Sequence, residues 1–422
     1  SSQTEPSKFV GDAATSTLTL LPDHSGSIAD GIATNGVTAM VVDALNNPIA
    51  GAIVTWTVDK STAKLSVSSG VTDSSGKTSL TYTDTVAEHV EITATLENGS
   101  SKVQGSTFVA DASTARIGSI VIDPDNSPAN GASKNGVAVT VVDANGNPVG
   151  GLRVALSASS NTVEFSSKFT STNQSGVASA TFTDTVAETI SVTAGLDNGS
   201  AKSQNSHFVG DAATAVVSTL VINQDGSVAN GSAANTATAT VLDANNNPVA
   251  GAEVVWSADK GTVRFGTQGT TDANGHVSVT FTDTVAETAQ ITATLGGSSQ
   301  TEPSKFVADA ATAVPSSLVI DPNGSVADGV TANVATVTVL DAHNNPVSGI
   351  NVSWSPDTDG TMRFSQTSGV TGTDGKMTVR ITDTKPRDTY IGVWVNGNYL
   401  SEIIEFVADP ATAAVSALTI NK

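Results

Sequence analysis

The chain has 422 residues, of which 14% are charged, and its 40 acidic and 19 basic residues give a net charge of −21. This balance argues against nucleic acid as a partner, because phosphate binding needs a concentrated basic surface. The absence of cysteine excludes disulfides, thiolate metal sites and cysteine nucleophiles. No apolar run approaches the roughly 18 residues of a membrane helix, so we expect no direct membrane insertion by this segment.

A five-residue signature, Phe-Val-(Ala/Gly)-Asp-(Ala/Pro), recurs every 98 to 100 residues. It begins at Phe9, Phe108, Phe208, Phe306 and Phe406. A fixed period of this length indicates folding units arranged in series. We predict four domains, called repeats 1 to 4, and two flanking fragments. The repeats cover 13–111, 112–211, 212–309 and 310–409.

The two ends of the chain resemble parts of a repeat. Residues 2–10 match residues 299–307, which close repeat 3, and residues 415–421 resemble residues 217–223, which open it. We therefore expect residues 1–12 to be the last strand of a preceding domain and residues 410–422 to be the first strand of a following one.

Strand patterns follow one another along repeat 1 without any sustained helical periodicity. β-branched runs and alternating apolar residues predict about seven short strands, bounded by turn residues. They lie at 18–20, 37–42, 53–58, around 65, and at 77–83, 90–96 and 106–109. Seven short strands in about 100 residues are typical of an immunoglobulin-like β-sandwich. Short Ala/Thr connections, without a flexible Gly/Ser linker, predict an elongated, semi-rigid rod of such domains.

Two polar motifs recur at strand ends. The first, Asp-Ala-x-(Asn/Gly)-Asn-Pro, predicts a tight turn, since Asn and Asp tolerate unusual backbone angles and Pro fixes its own; it begins at Asp43, Asp143, Asp243 and Asp341. The second, Thr-Asp-Thr, predicts a corner at which the carboxylate binds backbone N–H groups, with a catalytic acid as the alternative. Its aspartates are Asp84, Asp184, Asp283 and Asp383.

Most aromatic residues occupy four positions of the repeat and are predicted to fill its core. One position is held by Trp56, Trp256 and Trp354, with Leu156 in repeat 2. Because leucine replaces tryptophan there, the position requires a large apolar side chain but no indole N–H. Only Phe169, Tyr390, Trp394 and Tyr399 fall outside these positions.

The segment from Asp243 to Trp256, the segment from Thr271 to Thr284 and the Phe-Val-Ala-Asp link resemble the bacterial Ig-like repeats of the intimin/invasin adhesins, including FdeC-like members. The match covers nearly the whole chain. It implies a Gram-negative surface protein, in which an outer-membrane barrel displays tandem Ig-like domains toward host tissue. The receptor-binding caps of intimin and invasin contain cysteines, so their binding residues cannot be transferred to this chain.

No repeated catalytic or cofactor site is predicted. The five histidines fall at non-equivalent places in the repeat, and the motifs of phosphate loops, zinc proteases and EF-hands are missing. We expect neither enzymatic activity nor a cofactor. Calcium at the joints between repeats is an alternative for Asp111, Asp211 and Asp309, although Ca²⁺ prefers six to eight oxygen ligands. The other interpretation is that each aspartate binds backbone N–H groups at a corner.

Repeat 4 departs from the common pattern. Alignment on Thr-Asp-Thr predicts outward-facing Tyr390 and Trp394, where the other repeats carry polar residues or glycine. Tyr399 lies nearby, and Lys385 and Arg387 replace Val86 and Glu88 of repeat 1. An exposed aromatic pair with basic neighbours has the composition of a binding hot spot. The alternatives are that these side chains cover a loop, pack on the next domain or reflect a divergent terminal repeat.

We therefore predict an extracellular passenger segment of a bacterial surface adhesin, on the outer side of the Gram-negative outer membrane. Its expected partner is a host cell-surface or extracellular-matrix protein or glycan. The alternative hypothesis is a carbohydrate-binding or spacer array of a secreted polysaccharide-acting enzyme. A third hypothesis is a purely mechanical spacer.

Overall fold

A computed structural model describes residues 12–355 and 360–419 of the chain. Two compact units are present: one ends at Val209 and contains repeats 1 and 2, and the other begins at Gly210 and contains repeats 3 and 4. The described residues form β-strands and five short 3-10 turns, so the predicted all-β fold is confirmed. None of their helices is long and apolar enough to span a membrane. The predicted strand at 1–12 lies outside the described residues, except for Asp12.

Repeat 1 is a sandwich of two four-stranded sheets with the orders β1-β2-β6-β4 and β5-β3-β7-β8. Its strands are β1 (Thr17–His24), β2 (Asn35–Val42), β3 (Ile53–Val58), β4 (Lys64–Leu65), β5 (Ser69–Val71), β6 (Lys77–Thr83), β7 (His89–Leu96) and β8 (Ser101–Thr107). Sequence analysis missed β5 and the first half of β8. β5 contains Gly70, and the first half of β8 contains Lys102 and Gly105, residue types that are depleted in strands. Pairing with β3 and β7 makes both segments strands despite this low β-propensity.

Repeat 2 has the same two layers, with the orders β13-β15-β11-β9 and β10-β17-β16-β12-β14. Its strands are β9 (Arg116–Ile122), β10 (Ser127–Pro128), β11 (Asn135–Val142), β12 (Arg153–Ala158), β13 (Glu164–Phe165), β14 (Phe169–Ser171), β15 (Val177–Thr183), β16 (Thr189–Gly195) and β17 (Ala201–Val209). The short strand β10 pairs with the end of β17 in parallel, and all other pairs within this repeat are antiparallel.

Repeat 3 has sheets of four and three strands, ordered β18-β19-β22-β21 and β20-β23-β24. Its strands are β18 (Val216–Gln224), β19 (Asn235–Leu242), β20 (Val255–Ala258), β21 (Arg264–Phe265), β22 (His276–Thr282), β23 (Thr288–Leu295) and β24 (Ser298–Lys305). Single bridges at Val228 and Glu253 stand where the other repeats have short strands or bridges.

Repeat 4 has the orders β25-β27-β31-β29 and β26-β33-β32-β28-β30. Its strands are β25 (Val314–Ile320), β26 (Ser325–Val326), β27 (Asn333–Leu340), β28 (Asn351–Ser355), β29 (Arg363–Phe364), β30 (Ser368–Val370), β31 (Lys376–Thr382), β32 (Arg387–Val395) and β33 (Asn398–Val407). A 3-10 turn at Pro410–Thr412 follows, and residues 413–419 have no strand assignment. That residues 410–422 begin a following domain stays a prediction.

Each repeat encloses one apolar core between its two sheets. Trp56, Trp256 and Trp354 are almost fully buried, as predicted. Within the described part of the chain, the indole N–H groups of all three have no hydrogen-bond acceptor, which explains why Leu156 can take the same place. In repeat 1 the ring of Tyr82 packs edge-on against that of Phe108, with 5.8 Å between ring centroids.

A fully buried asparagine in each repeat was not singled out by the sequence pattern. In repeat 1, Asn35 Oδ1 accepts the N–H of Ser27 at 3.1 Å, and its Nδ2 donates to Ser106 Oγ and to the carbonyl of Thr107, both at 3.1 Å. The equivalents are Asn135, Asn235 and Asn333. These side chains tie the second strand of one sheet to the last strand of the other, and they satisfy backbone groups that burial would otherwise leave unpaired.

Candidate functional site

The aromatic residues of repeat 4 lie on the hairpin of β32 and β33. Asn396 and Gly397 connect the strands with φ angles of 44° and 79°, and two positive φ angles are the mark of a tight type I′ hairpin turn. Val395 therefore pairs with Asn398, and Trp394 lies directly opposite Tyr399. The short turn thus fixes which side chains meet across the hairpin.

Alternation along β32 separates a buried face from an outward face. Ile391, Val393 and Val395 are buried, whereas the side chains of Tyr390 and Trp394 are 65% and 46% exposed, which confirms the predicted orientation. Tyr390 lies opposite Ile403 of β33, which is also exposed. Large apolar side chains on adjacent strands therefore share one solvent-facing surface. We call Tyr390, Trp394, Tyr399 and Ile403 the aromatic face.

Trp394 and Tyr399 contact each other, with ring centroids 4.8 Å apart and ring planes inclined by 45°. The Tyr399 ring also lies over Gly392, so a Cβ atom at position 392 would collide with the ring carbons and hydroxyl. A glycine between Tyr390 and Trp394 therefore makes room for the Tyr399 ring to lie against the strand.

The same register in the other repeats places small or polar side chains at these positions. Trp394–Tyr399 replaces Thr95–Ser101, Gly195–Ala201 and Thr294–Ser299. Tyr390–Ile403 replaces Glu91–Gly105, Ser191–Asn205 and Gln290–Pro303. The change is thus confined to one face of one sheet.

Of the two basic residues, Arg387 does not share this face. Arg387 points inward, and its guanidinium donates from Nε to Asp383 Oδ2 at 2.8 Å and approaches the same oxygen through Nη2 at 2.7 Å. Arg387 and Trp394 are seven residue steps apart along the strand, about 23 Å at the usual rise. Lys385 is exposed in the loop before β32, and its backbone N–H donates to Asp383 Oδ1 at 3.0 Å. Strand alternation therefore removes Arg387 from the basic group that sequence reasoning placed beside the aromatic side chains.

Sequence reasoning missed Ile403 and Gly392, because cross-strand pairs depend on the register of a hairpin. The Asn396-Gly397 dipeptide is the signal that would have fixed this register. Phe169, the remaining aromatic outside the core positions, belongs to repeat 2. The guanidinium of Arg153 lies 3.7 Å from its ring centroid, so the two side chains form a separate cation–π pair.

The turn motif lies at the joint between repeats. In the joint of repeats 1 and 2, Asp143 Oδ1 accepts the N–H groups of Asn145 at 2.9 Å and Asn147 at 2.8 Å. Its Oδ2 accepts the N–H of Asp111 at 3.1 Å. The motif is the predicted turn, and it also holds the aspartate of the Phe-Val-Ala-Asp signature.

Asn147 connects the turn to the preceding repeat. Its Oδ1 accepts the N–H of Ala87 at 2.8 Å, and its Nδ2 donates to the carbonyl of Thr85 at 3.0 Å. Asn345 repeats both bonds between repeats 4 and 3, with Ala286 and Thr284, at 2.8 Å and 3.0 Å. Both asparagines are buried, whereas Asn47, before which no repeat is described, is exposed. The motif is therefore part of the contact between the two repeats within each unit.

The joint aspartates bind backbone N–H groups. Asp111 caps a 3-10 turn, and its Oδ1 accepts the N–H of Ser113 at 2.9 Å and the hydroxyl at 2.7 Å. These bonds lower the pKa of Asp111. Asp211 and Asp309 cap the equivalent turns. Among the described residues, no group of three or more His, Cys, Asp or Glu side chains is placed to hold a metal ion. Calcium at Asp111, Asp211 or Asp309 stays a prediction without a described ligand cluster.

Comparison with known proteins agrees with this architecture. The model of the bacterial Ig-like domain (group 1) family matches residues 17–109, 117–209, 217–307 and 315–407. The inverse autotransporter adhesin YeeJ of Escherichia coli K12 is 30% identical over 434 residues, which cover 97% of this chain and 18% of that protein. The chain thus spans a small part of the relative's length.

A solved structure with a TM-score above 0.5 shows the same fold. The structure of FdeC, an Escherichia coli adhesin, is 21% identical, with a TM-score of 0.51 over 71% of this chain and 100% of that one. Invasin, described as a bacterial integrin-binding protein, is 17% identical, with a TM-score of 0.47 over 92% of this chain and 79% of its own. The resemblance to intimin/invasin-type Ig-like repeats is confirmed. The chain belongs to the bacterial Ig-like domain (group 1) family and carries four of its repeats in tandem.

Proposed function

We propose that this chain is an extracellular segment of a bacterial surface adhesin, displayed on the outer side of the Gram-negative outer membrane. In this role it is a non-enzymatic, semi-rigid stalk of Ig-like domains that presents or mediates attachment to host cells or matrix. The similarity to an inverse autotransporter adhesin along 97% of the chain supports this proposal. The same similarity disfavours the array of a polysaccharide-acting enzyme.

The observation that carries the stalk role is the buried asparagine at the joints. Asn147 and Asn345 each form two hydrogen bonds with the repeat before them. A buried side chain that satisfies two backbone groups of a neighbouring domain resists bending, because each opened bond leaves a polar group without a partner. A flexible Gly/Ser linker would have no such cost. The joints therefore suit a segment that holds a binding surface away from the cell.

The stalk role is tested in the complete parent protein displayed on cells. Replacing these four repeats by an equally long flexible linker is expected to reduce attachment to host cells or matrix at constant surface expression. Replacing them by four unrelated, rigidly joined Ig-like domains is expected to preserve the part of attachment that depends on reach alone. Unchanged attachment with the flexible linker would contradict the stalk role.

We further propose that the aromatic face of repeat 4 is a contact surface for a host cell-surface or matrix protein or glycan. Aromatic side chains contribute much of the binding energy at protein interfaces, and the face exposes Tyr390, Trp394, Tyr399 and Ile403 together. Arg387 is engaged by Asp383, so the proposed contact does not depend on it. Lys385, exposed in the loop before β32, stays a predicted basic neighbour of this surface.

The test replaces three aromatic residues by those of repeat 3, giving Tyr390→Gln, Trp394→Thr and Tyr399→Ser. Gln, Thr and Ser already occupy the equivalent outward positions of repeat 3, so the variant is expected to fold. It is expected to lose binding because the exposed aromatic rings are gone. A matched control is Val103→Ser, which removes an exposed apolar side chain from the equivalent sheet of repeat 1. Equal host-cell binding by the triple variant and the control would remove the aromatic face as a contact surface.

A further inference from the structure

The residue opposite the signature phenylalanine differs in charge among the repeats. It is Glu88, Glu188 and Glu287 in repeats 1 to 3, where its carbonyl accepts the phenylalanine N–H, and Arg387 in repeat 4. In repeats 1 and 4 its side chain lies near the aspartate of the Thr-Asp-Thr motif, and in every repeat that aspartate is buried to at least 99%. The local charge beside a buried carboxylate is therefore reversed in repeat 4.

Repeat 4 shows where a positive charge fits. Both Nε and Nη2 of Arg387 lie within 2.8 Å of Asp383 Oδ2, and Nη2 also donates to Thr361 Oγ1 at 2.9 Å. The guanidinium thus fills the space between the carboxylate and the threonine hydroxyl. It compensates a carboxylate that has lost its water.

Repeats 1 and 3 place a lysine near the same cluster. Lys260 Nζ lies 3.9 Å from Glu287 Oε2 and 3.7 Å from Asp259. Lys60 is 3.2 Å from Asp59, and the nearby charge of Glu88 contributes to its raised pKa after the stronger effect of Asp59. In repeat 1 the Thr62 hydroxyl also lies between the two carboxylates, 2.9 Å from Glu88 and 3.4 Å from Asp84.

Repeat 2 has neither the arginine of repeat 4 nor the lysine of repeats 1 and 3. Ser160 stands where repeats 1 and 3 have lysine, and its hydroxyl is 2.8 Å from that of Thr162. Thr162 is 3.4 Å from Glu188 Oε1. Asp184 is 1% exposed, and its Oδ2 has no hydrogen-bond partner in the described part of the chain. No ion pair to Asp184 or Glu188 occurs among the described residues.

We propose that Asp184 Oδ2, Glu188, Thr162 Oγ1 and Ser160 Oγ form a binding site for a hard divalent cation, at the position that the Arg387 guanidinium takes in repeat 4. Two carboxylates and two hydroxyls supply the oxygen ligands that Ca²⁺ and Mg²⁺ prefer, and water completes the coordination. A buried, unpaired carboxylate oxygen is costly, so the cation stabilises the folded repeat. These ligands are distinct from Asp111, Asp211 and Asp309 at the joints. Repeat 3, where Asp283 Oδ2 is also unpartnered, forms a weaker site because Lys260 is close.

The experiment measures hydrogen exchange in the whole chain after removal of divalent cations, with Ca²⁺, Mg²⁺ or NaCl of equal ionic strength added back. Backbone amides around Asp184 that exchange only when repeat 2 unfolds are expected to slow about elevenfold at a cation concentration ten times the Kd. The corresponding amides of repeat 4 are expected to stay unchanged, which provides an internal control.

Two reciprocal variants locate the site. Glu188→Arg installs the guanidinium of repeat 4 and is expected to abolish the cation response while keeping repeat 2 protected without cation. Arg387→Glu is expected to create a cation response in repeat 4. Should Arg387→Glu fail to fold, Thr162→Val provides a second test in repeat 2, with an expected weaker cation affinity. Exchange in repeat 2 that is insensitive to both divalent cations, or a response that survives Glu188→Arg, would overturn the proposal.

Discussion

Repeat 4 and repeats 1 to 3 share one sandwich but differ at two places on the same strand. On the outward face of β32, Tyr390 and Trp394 replace polar residues or glycine, and at its inward start Arg387 replaces glutamate. Neither change alters the strand order of the first sheet or the positions of the core tryptophans. The repeated residues therefore specify the fold, and a single strand can acquire new surface chemistry without cost to the core.

The largest expected effect comes from the inward difference. Arg387→Leu removes the partner of Asp383, whose side chain is fully buried, and we expect a loss on the order of 3 kcal/mol in the free energy of unfolding of repeat 4. Hydrogen exchange within repeat 4 measures this loss. Glu188→Leu is the matched change in repeat 2, and it is expected to be neutral or stabilising without divalent cation, since it removes a like charge beside Asp184. Equal losses of unfolding free energy in Arg387→Leu and Glu188→Leu would contradict the inference that only repeat 4 compensates its buried aspartate with a positive charge.

A buried asparagine that binds the preceding repeat is present at the joint within each of the two units. Asn147→Ala and Asn345→Ala each remove two bonds to the preceding repeat, and we expect each to weaken its joint by about 1–3 kcal/mol. Distance distributions between spin labels on repeats 1 and 2, or on repeats 3 and 4, are expected to broaden. Asn47→Ala is the control, because Asn47 is exposed, and it is expected to change stability by less than about 0.5 kcal/mol. A broad distribution already present in the unaltered chain would contradict a semi-rigid joint.

Acid is expected to weaken the same joints. Burial raises the pKa of Asp143 and Asp341, but hydrogen bonds from Asn147 and Asn345 and from the backbone N–H groups of Asp111 and Asp309 lower it further, so that both pKa values lie below the ordinary value. The carboxylates therefore stabilise the joints above the unfolded pKa of about 3.9. This contribution is lost as the pH falls through the lower, folded pKa. Distance distributions between spin labels, recorded from pH 6 down to pH 2, would test this. In the Asp143→Asn variant the distribution between repeats 1 and 2 is expected to be broad at both pH values.

The smallest expected effect concerns the aromatic face. Gly392→Thr restores the residue type found at Thr93, Thr193 and Thr292, and the added side chain forces the Tyr399 ring away from the strand. Threonine has a higher β-propensity than glycine, and this gain opposes the loss of the Tyr399 packing. We therefore expect a net change in unfolding free energy within about 1 kcal/mol. Partner binding is expected to fall more than stability does. Loss of the Trp394–Tyr399 contact is measurable from NMR distance restraints between the rings, and an unmoved Tyr399 would contradict the role of Gly392.

Sequence periodicity predicted much of the fold because strand alternation and turn chemistry are local. The aromatic core positions and the outward direction of Tyr390 and Trp394 were predictable because successive side chains of a strand point to opposite faces of the sheet. Strand β5 was missed, because its Ser-Gly-Val sequence becomes a strand only through pairing with β3. Ile403 was missed for a similar reason, since its place beside Tyr390 depends on hairpin register.

The sequence by itself determined the repeat, the absence of cysteine chemistry and the all-β sandwich, because these depend on composition and on patterns within single segments. Only the tertiary structure decided that the Arg387 guanidinium binds Asp383 and does not join the aromatic face. It also decided that Asn147 binds Ala87, which lies 60 residues earlier in the chain, across the joint between repeats 1 and 2. It also isolated Asp184 Oδ2 from any partner in the described chain. Contacts of this kind depend on which distant segments are brought together, and no local pattern records them.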